Sequence, residues 1–94
     1  MFKPLDPLLH NELRLKIMSL LLSMKQAEFN ELLQLTEASK GNLSVQISRL
    51  KTAGYISVKK SFRKNYPLTR CAITRKGIDA FENYVNSIAT YLDR

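Results

Sequence analysis

At Gly54 the apolar residues of this chain change period. Upstream they recur every three or four positions, as Leu9, Leu13, Ile17, Leu20, Leu21 and Met24 and then as Leu43, Ile47 and Leu50. Downstream they alternate, with Ile56 and Val58 on one side and Tyr55, Ser57 and Lys59 on the other. The first spacing belongs to helices buried along one stripe, the second to a strand buried on one face. A second alternating run sets Thr69, Cys71 and Ile73 against Leu68, Arg70 and Ala72, and between the runs lies KKSFRKNYP, a basic turn with Asn65 and Pro67 as breakers. Two such strands form a hairpin, so the chain is restricted to a mainly α fold with a small β hairpin (α+β).

Start and stop signals place the helices. Asp6 followed by Pro7 is an N-cap acceptor with proline at the first helical position, and the first helix is predicted to run from there to about residue 24. Lys25 to Phe29 is a connector with one short strand at Glu28 and Phe29. Asn30 caps a brief second helix presenting Leu32, Leu33 and Leu35. Ser39 caps a third helix over about Lys40 to Ala53, which Gly54 ends in the left-handed position. Thr74 caps the last helix, where Ile78, Phe81, Val85, Ile88 and Leu92 form a seam flanked by Tyr84 and Tyr91. These divide a single domain over 1–94 into a first helix (1–24), a helix-turn-helix (30–53), a hairpin (55–73) and a C-terminal helix (75–92).

The net charge of +7 is unevenly placed. From Lys40 to Lys76 there are ten basic residues (Lys40, Arg49, Lys51, Lys59, Lys60, Arg63, Lys64, Arg70, Arg75, Lys76) and no Asp or Glu, whereas the remainder holds five basic and eight acidic residues. Such segregation marks the middle of the chain as a surface for phosphates. Lys40 and Gly41 in the first turn of the third helix oppose the helix dipole and cost backbone entropy, choices that suit a phosphate at the helix start. The alternative for Gly41 is that it eases a tight turn between helices.

Three stretches carry a family resemblance. LHNELRLKIMSLL, with Arg14 and Leu15 in an Arg-Leu-x-Ile step, LSVQISRLKTAGYI, and LTRCAITRKGIDAFENY, with Thr74 and Gly77, resemble the first helix, the recognition helix and strand, and the second wing strand and last helix of winged-helix transcriptional regulators related to the MarR and ArsR families. Each motif is loose, but the three occur in the family's order across nearly the whole chain. The resemblance implies a winged helix-turn-helix with a C-terminal dimerisation helix, whose third helix enters the major groove of duplex DNA. The residues expected at base edges are Asn42, Ser44, Val45, Ser48 and Arg49. Arg49 has the planar fork that fits guanine, although contact with phosphate alone is an equal reading. Gln46 flanks the apolar stripe, in a position open to packing or to DNA.

Lys59, Lys60, Arg63 and Lys64 in the wing are expected on the DNA backbone, with Arg63 nearest the tip and reaching a narrow minor groove. Arg75 and Lys76 repeat the pattern of a basic helix start. Phe62 and Tyr66 read as packing for the hairpin. Leu5, Leu8, Phe81, Tyr84, Val85, Ile88, Tyr91 and Leu92 are the expected homodimer surface, because the last seam exceeds what a small core can cover. Fold-back of the last helix onto the first within one monomer is the other reading.

Cys71 shares a strand face with Ile73 and reads as a buried structural thiol. With one cysteine, and His10 as the only histidine, the chain offers too few ligands for a metal sensor, and no cofactor is expected. No nucleophile has a plausible base partner and no glycine-rich phosphate loop is present, so no enzyme is expected. The charged N-terminal segment and lone cysteine point to the cytoplasm, with no membrane association. The functional expectation is a DNA-binding transcriptional regulator, most simply a repressor. The competing readings are a winged-helix module for protein interaction and a sequence-indifferent nucleic-acid or chromatin binder.

Overall fold

The computed structural model describes residues 1–92. The elements run α1 (Glu12–Met24), β1 (Gln26–Glu28), α2 (Phe29–Thr36), α3 (Lys40–Thr52), β2 (Ile56–Arg63), β3 (Tyr66–Ile73) and α4 (Arg75–Leu92). The strands form one antiparallel sheet in the order β1-β3-β2. Leu9, Ile17, Met18, Leu21, Leu32, Leu43 and Leu50 are completely buried, and Ala27, Ile47, Ile56, Cys71 and Tyr84 close the same cluster. This is a winged-helix α+β fold: three helices on one core, a hairpin projecting from it, and a long final helix.

The first helix starts later than its cap signals suggest, because two caps compete. Asp6 does cap, its Oδ1 accepting from the Leu8 amide at 2.9 Å, but it closes only a single turn. The Asn11 amide then donates to the Leu9 carbonyl at 2.8 Å, which breaks the helical pattern. Asn11 caps α1 proper by accepting from the Arg14 amide at 3.0 Å. Leu9 lies outside the helix yet reaches the core. The second helix begins two residues earlier than an Asn30 cap would place it, since the Glu31 side chain accepts from the Glu28 amide at 2.9 Å and draws Phe29 into the helix. The short strand is therefore Gln26–Glu28, paired with Ala72–Arg70. Leu32 is buried and Leu33 half-buried, but Leu35 faces solvent.

Local chemistry defines α3 at both ends. The Ser39 hydroxyl accepts from the Asn42 amide at 3.2 Å. At the other end, Tyr55 donates to the Leu50 carbonyl at 3.0 Å and Gly54 to that of Lys51 at 2.9 Å, the paired bonds of a Schellman ending, with Gly54 at φ +81°. Thr74 then locks this corner to α4. Its hydroxyl donates to the Gly54 carbonyl at 2.6 Å and accepts from the Gly77 amide at 3.0 Å, and its own amide donates to the Tyr55 carbonyl at 3.1 Å. A side chain at Gly77 would place its Cβ 2.1 Å from the Tyr55 carbonyl oxygen, so only glycine admits this approach.

The wing is longer than its apolar alternation indicates. Its turn is confined to Lys64 (φ +49°) and Asn65 (φ +68°), the pattern of a two-residue type I′ hairpin, so most of KKSFRKNYP belongs to the strands. Pro67 sits inside β3 opposite Phe62. In a two-residue hairpin the flanking Arg63–Tyr66 pair exchanges hydrogen bonds and the next pair does not, so the missing N–H of proline costs the ladder nothing. β1 reaches only as far as Arg70 on β3, and the outer half of the wing has no third strand behind it. Phe62 and Tyr66 consequently do not pack the hairpin: they are 78% and 75% exposed, on opposite faces.

No helix among the described residues is long and apolar enough to cross a membrane. Two outcomes follow from the packing. Gly77→Ala should lower unfolding stability by roughly 3 kcal/mol through its clash with backbone, whereas Gly41→Ala, with nothing within 4 Å of the new methyl, should raise it by about 0.5–1 kcal/mol; denaturant titration checks both. Burial pushes the Cys71 thiol up to about 11, so at neutral pH a thiol reagent should label it only at the rate of unfolding.

Candidate nucleic-acid interface

Only Leu43, Ile47 and Leu50 anchor α3 in the core, which leaves about two thirds of its circumference open. At 100° per residue the open arc divides into three strips. Gly41, Val45 and Thr52 form the crest, with Val45 half-exposed. Lys40, Ser44, Ser48 and Lys51 form the strip facing the wing. Asn42, Gln46 and Arg49 form the strip facing α1.

The wing-facing strip borders a concavity of about 380 Å³ closed on the far side by Val58, Lys60 and Thr69, with Phe29 at its floor. A second hollow of about 260 Å³ shares Phe29, Lys40 and Thr69 and extends the trough past Asn30 to Pro67. Three lysines from three positions in the sequence, Lys40, Lys51 and Lys60, thus line one channel whose remaining polar groups are serine, threonine and asparagine. The only ion pairs among the described residues are Arg63–Glu28 and Arg75–Asp79, both at 3.2 Å, so none of these lysines is paired with a described carboxylate. A trough of this kind attracts a polyanion.

Strand register sorts the wing cations. Val58, Lys60 and Phe62 share the trough face with Pro67 and Thr69, while Lys59, Ser61 and Arg63 share the outer face with Tyr66, Leu68 and Arg70. Lys60 therefore points into the trough and Lys59 away from it. Lys64, not Arg63, occupies the tip, and Arg63 reaches back along the outer face to Glu28. At the start of α4, Arg75 pairs with Asp79 and Lys76 lies 5.8 Å above the Tyr55 ring. Both are engaged within the chain, unlike Lys40. The Arg75 pair is exposed and weak enough to exchange for phosphate.

On the α1 side, Arg14 is 8% exposed and reaches α3. Its Nε donates to the Leu8 carbonyl at 2.5 Å and its Nη1 to Gln46 Oε1. Gln46 Nε2 donates in turn to Asn42 Oδ1 at 3.0 Å. Gln46 is therefore half-buried and hydrogen-bonded to the core arginine. Burial, and secondarily the neighbouring Arg49 cation, hold the Arg14 pKa below its ordinary value.

Of the residues expected at a subunit interface, Leu5, Leu8, Phe81 and Ile88 are partly buried against the chain's own core. Tyr84 is 7% exposed, its hydroxyl 2.9 Å from His10 Nδ1, and it belongs to the monomer interior because α4 packs over the N-terminal turn. Val85, Tyr91 and Leu92 remain exposed, and Tyr91 stacks on Phe2 with ring centroids 4.8 Å apart.

Sequence reasoning passed over Lys51, Thr69, Phe29 and Asn30 in the trough. Lys51 carried a usable signal, since Lys40, Ser44, Ser48 and Lys51 follow a 4-4-3 helical spacing. Thr69 and Phe29 become neighbours only through tertiary packing of β3 beside the start of α2, which no local motif reports.

Comparison with known proteins agrees with this geometry. Residues 13–92 match the family described as winged helix DNA-binding domain. An uncharacterized protein of Methanocaldococcus jannaschii is 37% identical over 75 residues, covering 80% of this chain and 82% of that protein. A transcriptional regulator homologue from Pyrococcus horikoshii superposes with a TM-score of 0.85 at 28% identity, over 92% of this chain and 85% of that one. A MarR-family regulator from Silicibacter pomeroyi shares the fold at a TM-score of 0.69 and 14% identity, over 93% of this chain and 57% of its own. The chain belongs to the winged helix DNA-binding domain family.

Proposed function

We propose that this protein is a single-domain, homodimeric transcriptional regulator in the cytoplasm, which binds duplex DNA and represses by occupying a promoter. The observation that carries the reading is the trough in which Lys40 and Lys51 flank Ser44 and Ser48 on α3 and Lys60 lies on the opposite wall, with no carboxylate partner among the described residues. α3 enters the major groove crest-first, so that Val45 meets a thymine methyl and Asn42, Ser44, Ser48 and Arg49 reach base edges on either side. The trough receives the adjacent phosphate strand, with Lys60 on one wall and Lys40 beside the exposed Gly41 at the helix start. Lys64 at the tip extends to the next backbone or minor groove. The exposed side of α4, from Val85 to Leu92, joins Phe2 and Tyr91 in the subunit contact, which sets two copies of α3 on one face of the duplex.

With about 6 to 10 phosphate contacts, affinity should fall roughly 10³- to 10⁵-fold between 50 and 200 mM salt. A flat salt dependence in a gel-shift or anisotropy titration contradicts the reading. Arg49→Ala should relax preference at one base pair by about 1–3 kcal/mol, whereas Lys51→Ala and Lys64→Ala should weaken all sequences alike and reduce the salt slope by about 1 each. Gly41→Ala, stabilising for the free fold, should weaken DNA binding if the backbone approaches phosphate there.

A further inference from the structure

Resting on the DNA-binding reading above, we infer that Arg14, far from any DNA contact of its own, polarises one edge of α3 so that it presents only hydrogen-bond donors and selects guanine in the major groove. Arg14 is buried with no carboxylate partner among the described ion pairs; its acceptors are two neutral oxygens, the Leu8 carbonyl and Gln46 Oε1. For packing alone an apolar side chain of similar length would serve, because a buried guanidinium bears a desolvation cost that neutral acceptors only partly offset.

The guanidinium does one thing an apolar group does not. Arginine has no acceptor, so its contact forces the Gln46 amide to turn its oxygen inward and its NH2 outward. One of those N–H groups donates to Asn42 Oδ1 at 3.0 Å, which in turn forces the Asn42 NH2 outward. The Asn42 backbone is fixed at the helix start, its main-chain N–H donating to the Ser39 hydroxyl. The strip of α3 that faces α1 then offers N–H groups from Asn42 and Gln46, and the Arg49 guanidinium beside them.

An unrestrained asparagine presents both a donor and an acceptor and therefore suits adenine, which shows N6–H2 and N7 in the major groove. With its oxygen turned toward Gln46 and its NH2 outward, Asn42 lacks that complement. The base that best matches a donor-only edge is guanine, with two acceptors, O6 and N7, and no major-groove donor; thymine offers a single acceptor beside its methyl, and adenine and cytosine each present an amino group that would meet N–H. Arg14 is thus a positioning residue for specificity, acting through Gln46, and it fixes two otherwise mobile side chains before DNA arrives.

The test uses an operator selected by the wild-type dimer from a random duplex pool, together with its single-base variants. The wild type should prefer guanine at one position of each half-site, and Arg14→Met and Gln46→Met should each reduce the guanine-over-adenine ratio there by roughly tenfold. The double variant should lose no more than either single, because both cut the same relay. Gln46→Met removes no buried charge and keeps the test intact where Arg14→Met fails to fold. An unchanged guanine ratio in Gln46→Met, or an equal loss of affinity for every sequence in Arg14→Met, overturns the inference and leaves DNA binding standing. Absence of any duplex binding by the wild type overturns both.

Discussion

Three side chains, Leu43, Ile47 and Leu50, hold α3 to the core, and the surface this protein offers follows from how narrow that anchor is. Fully burying each stabilises by about 1.5–3 kcal/mol, enough to seat a 13-residue helix while leaving most of its circumference in solvent. A helix that packed against a second neighbour would have exchanged Ser44, Val45 and Ser48 for larger apolar groups. Here the open side is lined with small and cationic residues, and no carboxylate among the described residues offsets the repulsion among its lysines. Charge that is unfavourable for the monomer is what makes a polyanion the fitting partner.

The anchor would be of little use if the wing could move independently of α3. The corner at Gly54 prevents this. Within a few residues the Schellman ending of α3, the start of β2, the end of β3 and the cap of α4 share the carbonyls of Gly54 and Tyr55, through the hydroxyl and amide of Thr74. Gly77 allows α4 to close over this corner at backbone distance. The depth and width of the trough are therefore set by bonds outside it. Helix α3 and the base of the wing are thus tied through one corner, while the α1 side of α3 is held separately through Arg14.

Where structure depends on neighbours in sequence, the chain was readable. Ser39 and Gly54 delimit α3 to within a residue, Thr74 opens α4, and alternation from Ile56 marks the first strand, because caps and left-handed glycine are local chemistry. The start of α1 was misplaced because Asp6 and Asn11 are both competent caps, and which one opens the long helix depends on tertiary packing of Leu9. The wing arms were read too short because charged residues paired beyond the core carry no hydrophobic alternation, and the same blindness hid which cations share a face. Tyr84 was assigned to a subunit contact since its spacing fits either surface; only the fold brings His10 within 2.9 Å of it. The charge asymmetry pointed to the third of the chain that supplies Lys40, Lys51 and Lys60, yet the trough they line required Thr69, Phe29 and Lys51 to meet from three elements.

The central claim, that the channel between α3 and the wing receives duplex DNA, is tested most directly by following backbone amide resonances while a short duplex is added. The account predicts that the shifts concentrate at Lys40, Gly41, Ser44, Ser48, Lys51 and Lys60, while the separate hollow around Lys16, Ser19 and Leu35, which shares no residue with the trough, stays still. Shifts gathered at that separate hollow, or spread evenly over the molecule, would contradict it.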